Sequence, residues 1–349
     1  MYNKYMEAVP NKPATIRDVA RLAEVGLGTV SRVINESPQV SKATRSRVHE
    51  AISELNYVPN PTARRLSLGR TMTIAAITPF FTRPSITERL RGIENSLAES
   101  EYDLIIFNVE TVARRDELIR EVPRRERVDG VLILSLSPRD EDVPILEKAD
   151  VPIVLVDANH PSLTRLNRVI VDDVEGGRVA TQHLIELGHR RIGYISDFLD
   201  NAFNFTSSRY RFHGYRQALS GAGIPFRSEY HGQSEHGRYE AERLVKMMLN
   251  YEDRPTAIFA ASDTQAMGVL EAARDLGLRV PDDLSVIGYD DIEVAEYLGL
   301  TTVRQLLFES GQRAVEILLE SFEQTLTEPL CEVLPTELII RKTTSSRSG

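Results

Sequence analysis

The sequence is short of several residue types, and each shortage excludes something. Its 349 residues hold one cysteine, Cys331. An internal disulfide is therefore impossible and a cysteine-built zinc site is excluded; the residue reads as a buried apolar filler. No apolar run exceeds strand length, so nothing in the pattern spans a bilayer. The first ten residues, Met1-Tyr2-Asn3-Lys4-Tyr5-Met6-Glu7-Ala8-Val9-Pro10, lack the apolar segment and cleavage pattern of a secretory signal, and the expected compartment is the cytoplasm. A Walker loop, a nucleophile elbow and a His-Glu-x-x-His pattern are all missing.

Basic residues are also in deficit, 42 against 51 acidic, a formal charge of −9. Over the whole chain this argues against a nucleic-acid partner, but the distribution argues for one. Residues 1–70 carry 11 Lys and Arg against 6 Asp and Glu, a net +5, whereas the remainder carries 31 against 45, a net −14. A basic head on an acidic body is the asymmetry of a chain that meets DNA at one end. Lysine is scarce, 6 residues to 36 arginines, so any single arginine carries less information than usual.

The 42% apolar and 27% charged content fits a soluble globular protein, and the length suggests two or three domains. Residues 1–14 read as a flexible tail. Thr15-Ile16-Arg17-Asp18 has the form of a capping box with Asp in the Glu position. It opens a short helix on which Ile16, Val19, Ala20 and Ala23 share a face. A second helix over Leu27–Asn35 turns Val30, Val33 and Ile34 inward and leaves Gly28, Thr29, Ser31, Arg32 and Asn35 outward. A third opens at Ser41, with Val48, Ala51, Ile52 and Leu55 on its apolar face. Helix, tight turn, helix is the geometry that lays a second helix in the major groove. Thr29, Ser31 and Asn35 suit phosphate oxygens, and Arg32 is the one side chain there long enough to grip a guanine edge with two hydrogen bonds. A solvated face on an ordinary bundle is the plainer alternative; the basic head and the segment that follows weigh against it. That segment, Asn60-Pro61 through Leu68-Gly69, has an N-cap, a first-turn proline and a terminating glycine. It reads as a helix of one to two turns, too short to persist alone in water.

From Thr71 the pattern alternates strand and helix. Strands are expected at Thr73–Thr78, Leu104–Asn108, Val131–Leu134, Ile153–Asp157, Val169–Val171, Ile192–Ser196, Ala257–Ala260 and Leu284–Gly288. Amphipathic helices are expected at Ser85–Ser100 and near Gly177–Leu187, Arg209–Ser220, Tyr239–Leu249 and Thr264–Leu276. Repeated βαβ units imply parallel sheets covered by helices, and eight strands over this length imply two sheets. Ligands in such folds bind beyond the carboxyl ends of strands. There the sequence places Pro79-Phe80-Phe81, Asp157-Ala158-Asn159, Ser196-Asp197, Ser262-Asp263 and Tyr289-Asp290-Asp291. Stacking aromatics with carboxylates and amides suit a sugar or similar polyol. About half of these positions read equally well as helix N-caps, Asp263 foremost. His183 and His189, six apart with no further ligand nearby, do not make a metal site. Asp172-Asp173 and Asp282-Asp283 read as turn and cap chemistry.

The wording goes further than the pattern. Ile16-Arg17-Asp18-Val19-Ala20, Thr29-Val30-Ser31-Arg32-Val33-Ile34-Asn35 and Leu55-Asn56-Tyr57-Val58-Pro59-Asn60 closely resemble the head of the LacI/GalR family. In the core, Val154-Leu155-Val156-Asp157, Val171-Asp172-Asp173, His183 through His189, Arg211 with Gly214-Tyr215, and Gly288-Tyr289-Asp290-Asp291 look like the same family. The resemblance implies a head that docks as a dimer on a near-palindromic operator, with hinge helices that fold on DNA and a leucine, here Leu66, wedged into the minor groove. It assigns further DNA contacts to Thr15, Arg17, Leu27, Gly28, Asn60 and Ala63, and effector contacts to Asp157, Arg211 and Asp290. Phe80 and Phe81 match the family's aromatic wall, and Ser262 stands where the family often has Asn. The head departs from the family in reading Glu24-Val25-Gly26 where Gly-Val-Ser is usual. Gly26 thus loses a serine cap, and Gly28 cannot reach a base.

The expected architecture is an all-α, λ-repressor-like three-helix head (15–59), a hinge (60–70) and an α/β, two-lobed periplasmic-binding-protein-like core (71–345). The chain should cross between lobes near Val171, Val303 and Leu330, with the first lobe at about 71–171 and 304–330 and the second at about 172–303 and 331–343. The expected function is a transcriptional regulator, a repressor whose operator binding is controlled by a small-molecule effector, a sugar or sugar derivative. Its partners are double-stranded operator DNA, the effector and a second copy of itself, with no cofactor and no metal. An exported or cytosolic sugar-binding protein needs no basic head, and an α/β enzyme needs a phosphate-cradling loop or a base–nucleophile pair that the sequence does not show.

Overall fold

The computed structural model describes residues 14–58, 69–323 and 328–347. Residues 1–13 of the expected tail, and the hinge positions Asn60, Ala63 and Leu66, lie outside the described residues. The chain divides after Thr71 into two compact units.

The first unit holds α1 (Ile16–Leu22), α2 (Leu27–Ile34) and α3 (Lys42–Glu54). Asp18 accepts from the Thr15 backbone N–H at 3.0 Å and from its hydroxyl at 2.6 Å, so an aspartate completes the cap of α1 from the third helical position. At α3, the Ser41 hydroxyl accepts from the Thr44 N–H at 3.3 Å. Gly26 caps α2 with no side-chain hydrogen bond, as the missing serine implies. The three helices close on Val19, Ala20, Ala23, Val30, Val33, Val48 and Ala51. This small core burial is typical of a domain near the lower size limit for independent folding.

The second unit holds two parallel sheets. The first runs in the order β11-β5-β4-β3-β1-β2, built from β1 (Thr73–Pro79), β2 (Asp103–Val109), β3 (Gly130–Leu134), β4 (Ile153–Val156), β5 (Asn167–Val171) and β11 (Cys331–Leu334). The second runs β7-β6-β8-β9, from β6 (Ile192–Asp197), β7 (His231–Ser234), β8 (Ala257–Ala260) and β9 (Ser285–Ile287). An antiparallel pair, β10 (Thr302–Arg304) and β12 (Glu337–Ile339), completes the set. The helices are α4 (Pro84–Leu97), α5 (Val112–Glu121), α6 (Val143–Leu146), α7 (Asp173–Glu186), α8 (Ser207–Gly221), α9 (Arg238–Leu249), α10 (Asp263–Asp275), α11 (Glu293–Leu298) and α12 (Leu307–Phe322). β1, β3 and β4 are buried along their whole length, as central parallel strands covered on both faces must be.

Two expectations need correction. Residues 331–334 do not join the second lobe: β11 pairs in parallel with β5, Cys331 opposite Arg168 through Leu334 opposite Val171. The third crossing therefore falls after Leu334. Cys331 is not a buried filler either. It is exposed, because β11 is an edge strand whose alternate residues face outward.

Three strands of the first sheet end in a left-handed, non-glycine residue: Phe80 (φ 43°) follows β1, Ser135 (φ 52°) follows β3 and Asp157 (φ 53°) follows β4. In the second lobe, Asp290 (φ 116°) stands just past β9. Among the described residues no helix is long and apolar enough to cross a membrane.

Candidate DNA-reading and effector sites

In the head, α2 buries Val30 and Val33 and presents Leu27, Gly28, Arg32 and Asn35 to solvent, with Thr29 and Ser31 half-buried beside them. Thr15 and Arg17 are exposed at the start of α1. The outward face foreseen for α2 thus exists as one surface, and Arg32 is its one cation. Leu27 is an apolar residue 46% exposed at the first helical position, which burial in this unit does not account for.

Between the two lobes of the second unit lies a cleft that Asp157, Arg211, Ser262 and Asp290 all line. These four come from the ends of β4, β8 and β9 and from α8, as strand-end binding requires. Arg211 is buried. It donates to the Asp173 carboxylate at 2.8 Å and to the Ala261 carbonyl at 2.6 Å, lies 3.5 Å from Asp290 and stacks 3.7 Å above the Tyr289 ring. Asp157 meets Arg89 at 3.1 Å and accepts from the Ser135 hydroxyl at 3.0 Å. Arg89 also donates to Gln305 at 2.9 Å, and Gln305 donates to Asp290. A chain of polar contacts therefore runs Arg89–Gln305–Asp290–Arg211–Asp173, from the first lobe to the second.

Burial governs the electrostatics here. It outweighs the Arg211 guanidinium and pushes Asp173 up to about 6, and it raises Asp290 despite Arg211 and Arg89. At Asp197, burial pulls upward, but the hydrogen bond and charge of His236, with Arg83 and Arg211 nearby, hold the carboxyl below its usual range.

The aromatic pair stands elsewhere than expected. Phe80 is half-buried, packs edge-on against Phe203 at 5.7 Å and lies beneath the Arg83 guanidinium at 4.3 Å. Phe81 is 42% exposed. Neither lines the cleft; Phe205 does, stacked on Phe203 at 5.2 Å. The helix cap is Ser262, whose hydroxyl accepts from the Gln265 N–H at 3.2 Å. Asp263 is instead fully buried and accepts from the Thr302 hydroxyl at 2.6 Å and the Ile292 N–H at 3.0 Å, which fastens the second crossing to α10. Asp172 does cap, accepting from Glu175 at 2.9 Å, but Asp173 belongs to the buried network rather than to a turn.

Sequence reasoning missed Arg89, Asp173, Gln305, His236 and Gln265. Arg89 carried a signal: it sits among Ile86, Leu90 and Ile93 on the apolar face of α4, where an unpaired cation is untenable. His183 and His189 bond to hydroxyls, His183 to Thr344 and His189 to Thr256 and Ser285, each at 3.0 Å. Among the described residues no group of three ligating side chains could hold a metal.

Both units match known proteins. Residues 15–60 match the model described as bacterial regulatory proteins, lacI family, and residues 181–344 match the periplasmic binding protein-like domain. The HTH-type transcriptional repressor PurR of Aliivibrio salmonicida is 36% identical over 332 residues, spanning 94% of this chain and 98% of that protein. PurR of Photobacterium profundum is 38% identical over 339 residues, spanning 94% and 98%. The crystal structure of the Lac repressor dimer bound to operator and the anti-inducer ONPF is 29% identical with a TM-score of 0.84, covering 96% of this chain and all of that one. The CelR–cellobiose complex is 34% identical with a TM-score of 0.70, covering 95% and 99%. With such identity over nearly the full length of both chains, this chain belongs to the LacI family: it is a DNA-binding transcriptional regulator, not an enzyme, with a helix-turn-helix head and an effector-binding core.

Proposed function

We propose that the chain is a homodimeric cytoplasmic repressor whose grip on its operator is set by a sugar or sugar derivative bound in the cleft between the lobes. The observation that carries this reading is the unbroken polar chain from Arg89 to Asp173. A ligand whose hydroxyls join it must exchange contacts in both lobes at once, and a ligand shifts a conformational balance only through such differential contacts. The lobes in turn bias whether residues 60–70 can form paired hinge helices at the operator, with Asn60, Ala63 and Leu66 at the DNA. Thr15, Arg17, Leu27, Gly28, Thr29, Ser31 and Asn35 fix the head on the backbone and groove, and Arg32 reads a base. In the effector site, Asp157, Arg211 and Asp290 bind the ligand directly, Ser262 supplies a minor contact, and Phe80 and Phe81 act from behind the rim rather than as its wall.

A thermal-shift screen of the full chain against sugars, sugar phosphates and purines tests the reading, since ligand at 100 times its dissociation constant adds ~2.7 kcal/mol. A stabilising sugar-type compound that also changes operator retention in a gel shift is the expected result. Stabilisation by purines alone refutes the sugar assignment. Stabilisation that survives Arg211→Ala refutes the site.

A further inference from the structure

All but one of the ionisable side chains lining the cleft have a hydrogen-bonding or ion-pair partner among the described residues. Arg89, Arg211, Asp157 and Asp290 are tied into the cross-lobe chain, and Asp197 accepts from His236 and Gln265, both at 3.0 Å. The exception is Arg83. Its guanidinium lines the cleft and rests 4.3 Å from the centre of the Phe80 ring and 5.8 Å from that of Phe205, yet it donates no hydrogen bond to any described residue. Cation–π contact consumes no N–H donor, so all five donors of this half-buried group are left to solvent or a ligand. Asp197 and Glu235 attract it only through space, and burial pulls its pKa below the ordinary arginine value.

Ser207 and Ser208, in the first turn of α8, line the same cleft as Arg83. Their hydroxyls bond to no described residue, and Thr206 supplies no side-chain cap to the helix, so the first-turn N–H groups stay available as well. A half-buried guanidinium with unspent donors, lining the same cavity as free hydroxyls and open helix N–H groups, is a set of donors without a protein acceptor. Asp157 and Asp290 line the same cleft, so one ligand can meet both groups.

We infer that the effector carries an anionic oxygen group, a phosphate ester or a carboxylate, seated by Arg83 with Ser207 and Ser208. This rests on reading the cleft as the effector site. Arg83 comes from the first lobe and the serines from the second, so the anion also draws the lobes together. Phe80 and Phe205 position Arg83 through their rings.

The test is calorimetric titration of the full chain with matched probes: glucose, glucose 6-phosphate and gluconate; ribose and ribose 5-phosphate; and adenine, an uncharged ring able to stack on a guanidinium. The anionic member of at least one family should bind more tightly than its neutral parent. Arg83→Gln should weaken that member ~10- to 100-fold, the range for a hydrogen bond to a charged group, and leave the neutral parent unchanged. Arg83→Lys should retain part of the preference. If Arg83→Gln fails to fold, Ser207→Ala with Ser208→Ala carries the same comparison. Neutral sugars or adenine binding as tightly as the anions, and equally well to Arg83→Gln, would overturn the anion seat while leaving the cleft as the effector site. Binding that survives Arg211→Ala, or no binding by any probe, would overturn both.

Discussion

Arginine does opposite work in the two units of this chain. In the head, Arg17 and Arg32 stand in water with no ion pair among the described residues. In the core, Arg89, Arg115 and Arg211 are 1%, 0% and 5% exposed, and each is bonded to a carboxylate, at 3.1, 2.5 and 2.8 Å. A solvated charge can be offered to DNA at little expense to the fold. A buried one cannot be removed without stranding its partner. On the proposed reading, the same residue type therefore couples to DNA affinity in the head, whereas in the core its burial couples it to stability.

The sharpest test of this contrast is Arg211→Ala, which leaves Asp173 and Asp290 buried without their cation. Denaturant titration should show a loss of ~3–5 kcal/mol, the range for one partner removed from a buried pair. A variant as stable as the wild type breaks the comparison. Next comes Arg32→Ala, which should cost ~1–3 kcal/mol of operator affinity with no change in melting temperature. Weak, salt-sensitive binding should persist in a gel shift, whereas equal loss on operator and random DNA removes the base-reading role.

A smaller effect comes from pH. The His231 ring stacks on Phe212 at 4.2 Å, and burial, helped by Arg216, pushes its pKa from 6.5 down to about 4. The unfolded chain binds this proton more tightly, so the stability this ring contributes is full above about pH 6.5 and declines as pH falls toward 4. His231→Phe, which preserves the stack, should flatten that limb of a melting-temperature profile. Smallest is Gly28→Ala. A Cβ there meets nothing within 4 Å, so removing the glycine penalty should stabilise the head by ~0.5–1 kcal/mol, measured by thermal denaturation.

The head and the central strands were legible because their signals are local. Val19 with Ala23, Val30 with Val33, and Val48 with Ala51 recur at helical spacing within their helices, and β3 and β4 are short unbroken apolar runs. The edges were not. β7 reads His231-Gly232-Gln233-Ser234, with no apolar alternation, and is held by parallel pairing to β6. β11 was assigned to the wrong lobe because a strand's partner is chosen by topology, which its own residues do not state. In the cleft, Asp157, Ser262 and Asp290 could be named as strand-end residues and Arg211, on α8, from the family resemblance, and the four do converge. Phe80 and Phe81 could not be placed, since the left-handed turn at Phe80 decides where both rings go. Gln305 was invisible because its role exists only beside Asp290 and Arg89.

The left-handed residues at the strand ends have a consequence for how such a protein can change. A side chain held at positive φ typically costs of order 1–3 kcal/mol, and surrounding structure must impose it. Glycine at Phe80 or Ser135 would relieve that cost but delete a group at or beside the cleft, whereas at Asp157 or Asp290 it would also take a carboxylate from buried Arg89 or Arg211 and lose more than it gains. Relief of backbone strain is therefore open at Phe80 and Ser135 and closed at the two carboxylates, where the strained residue is held by the charge it answers. The ion pairs that line the cleft thus keep the strained backbone at Asp157 and Asp290 in place.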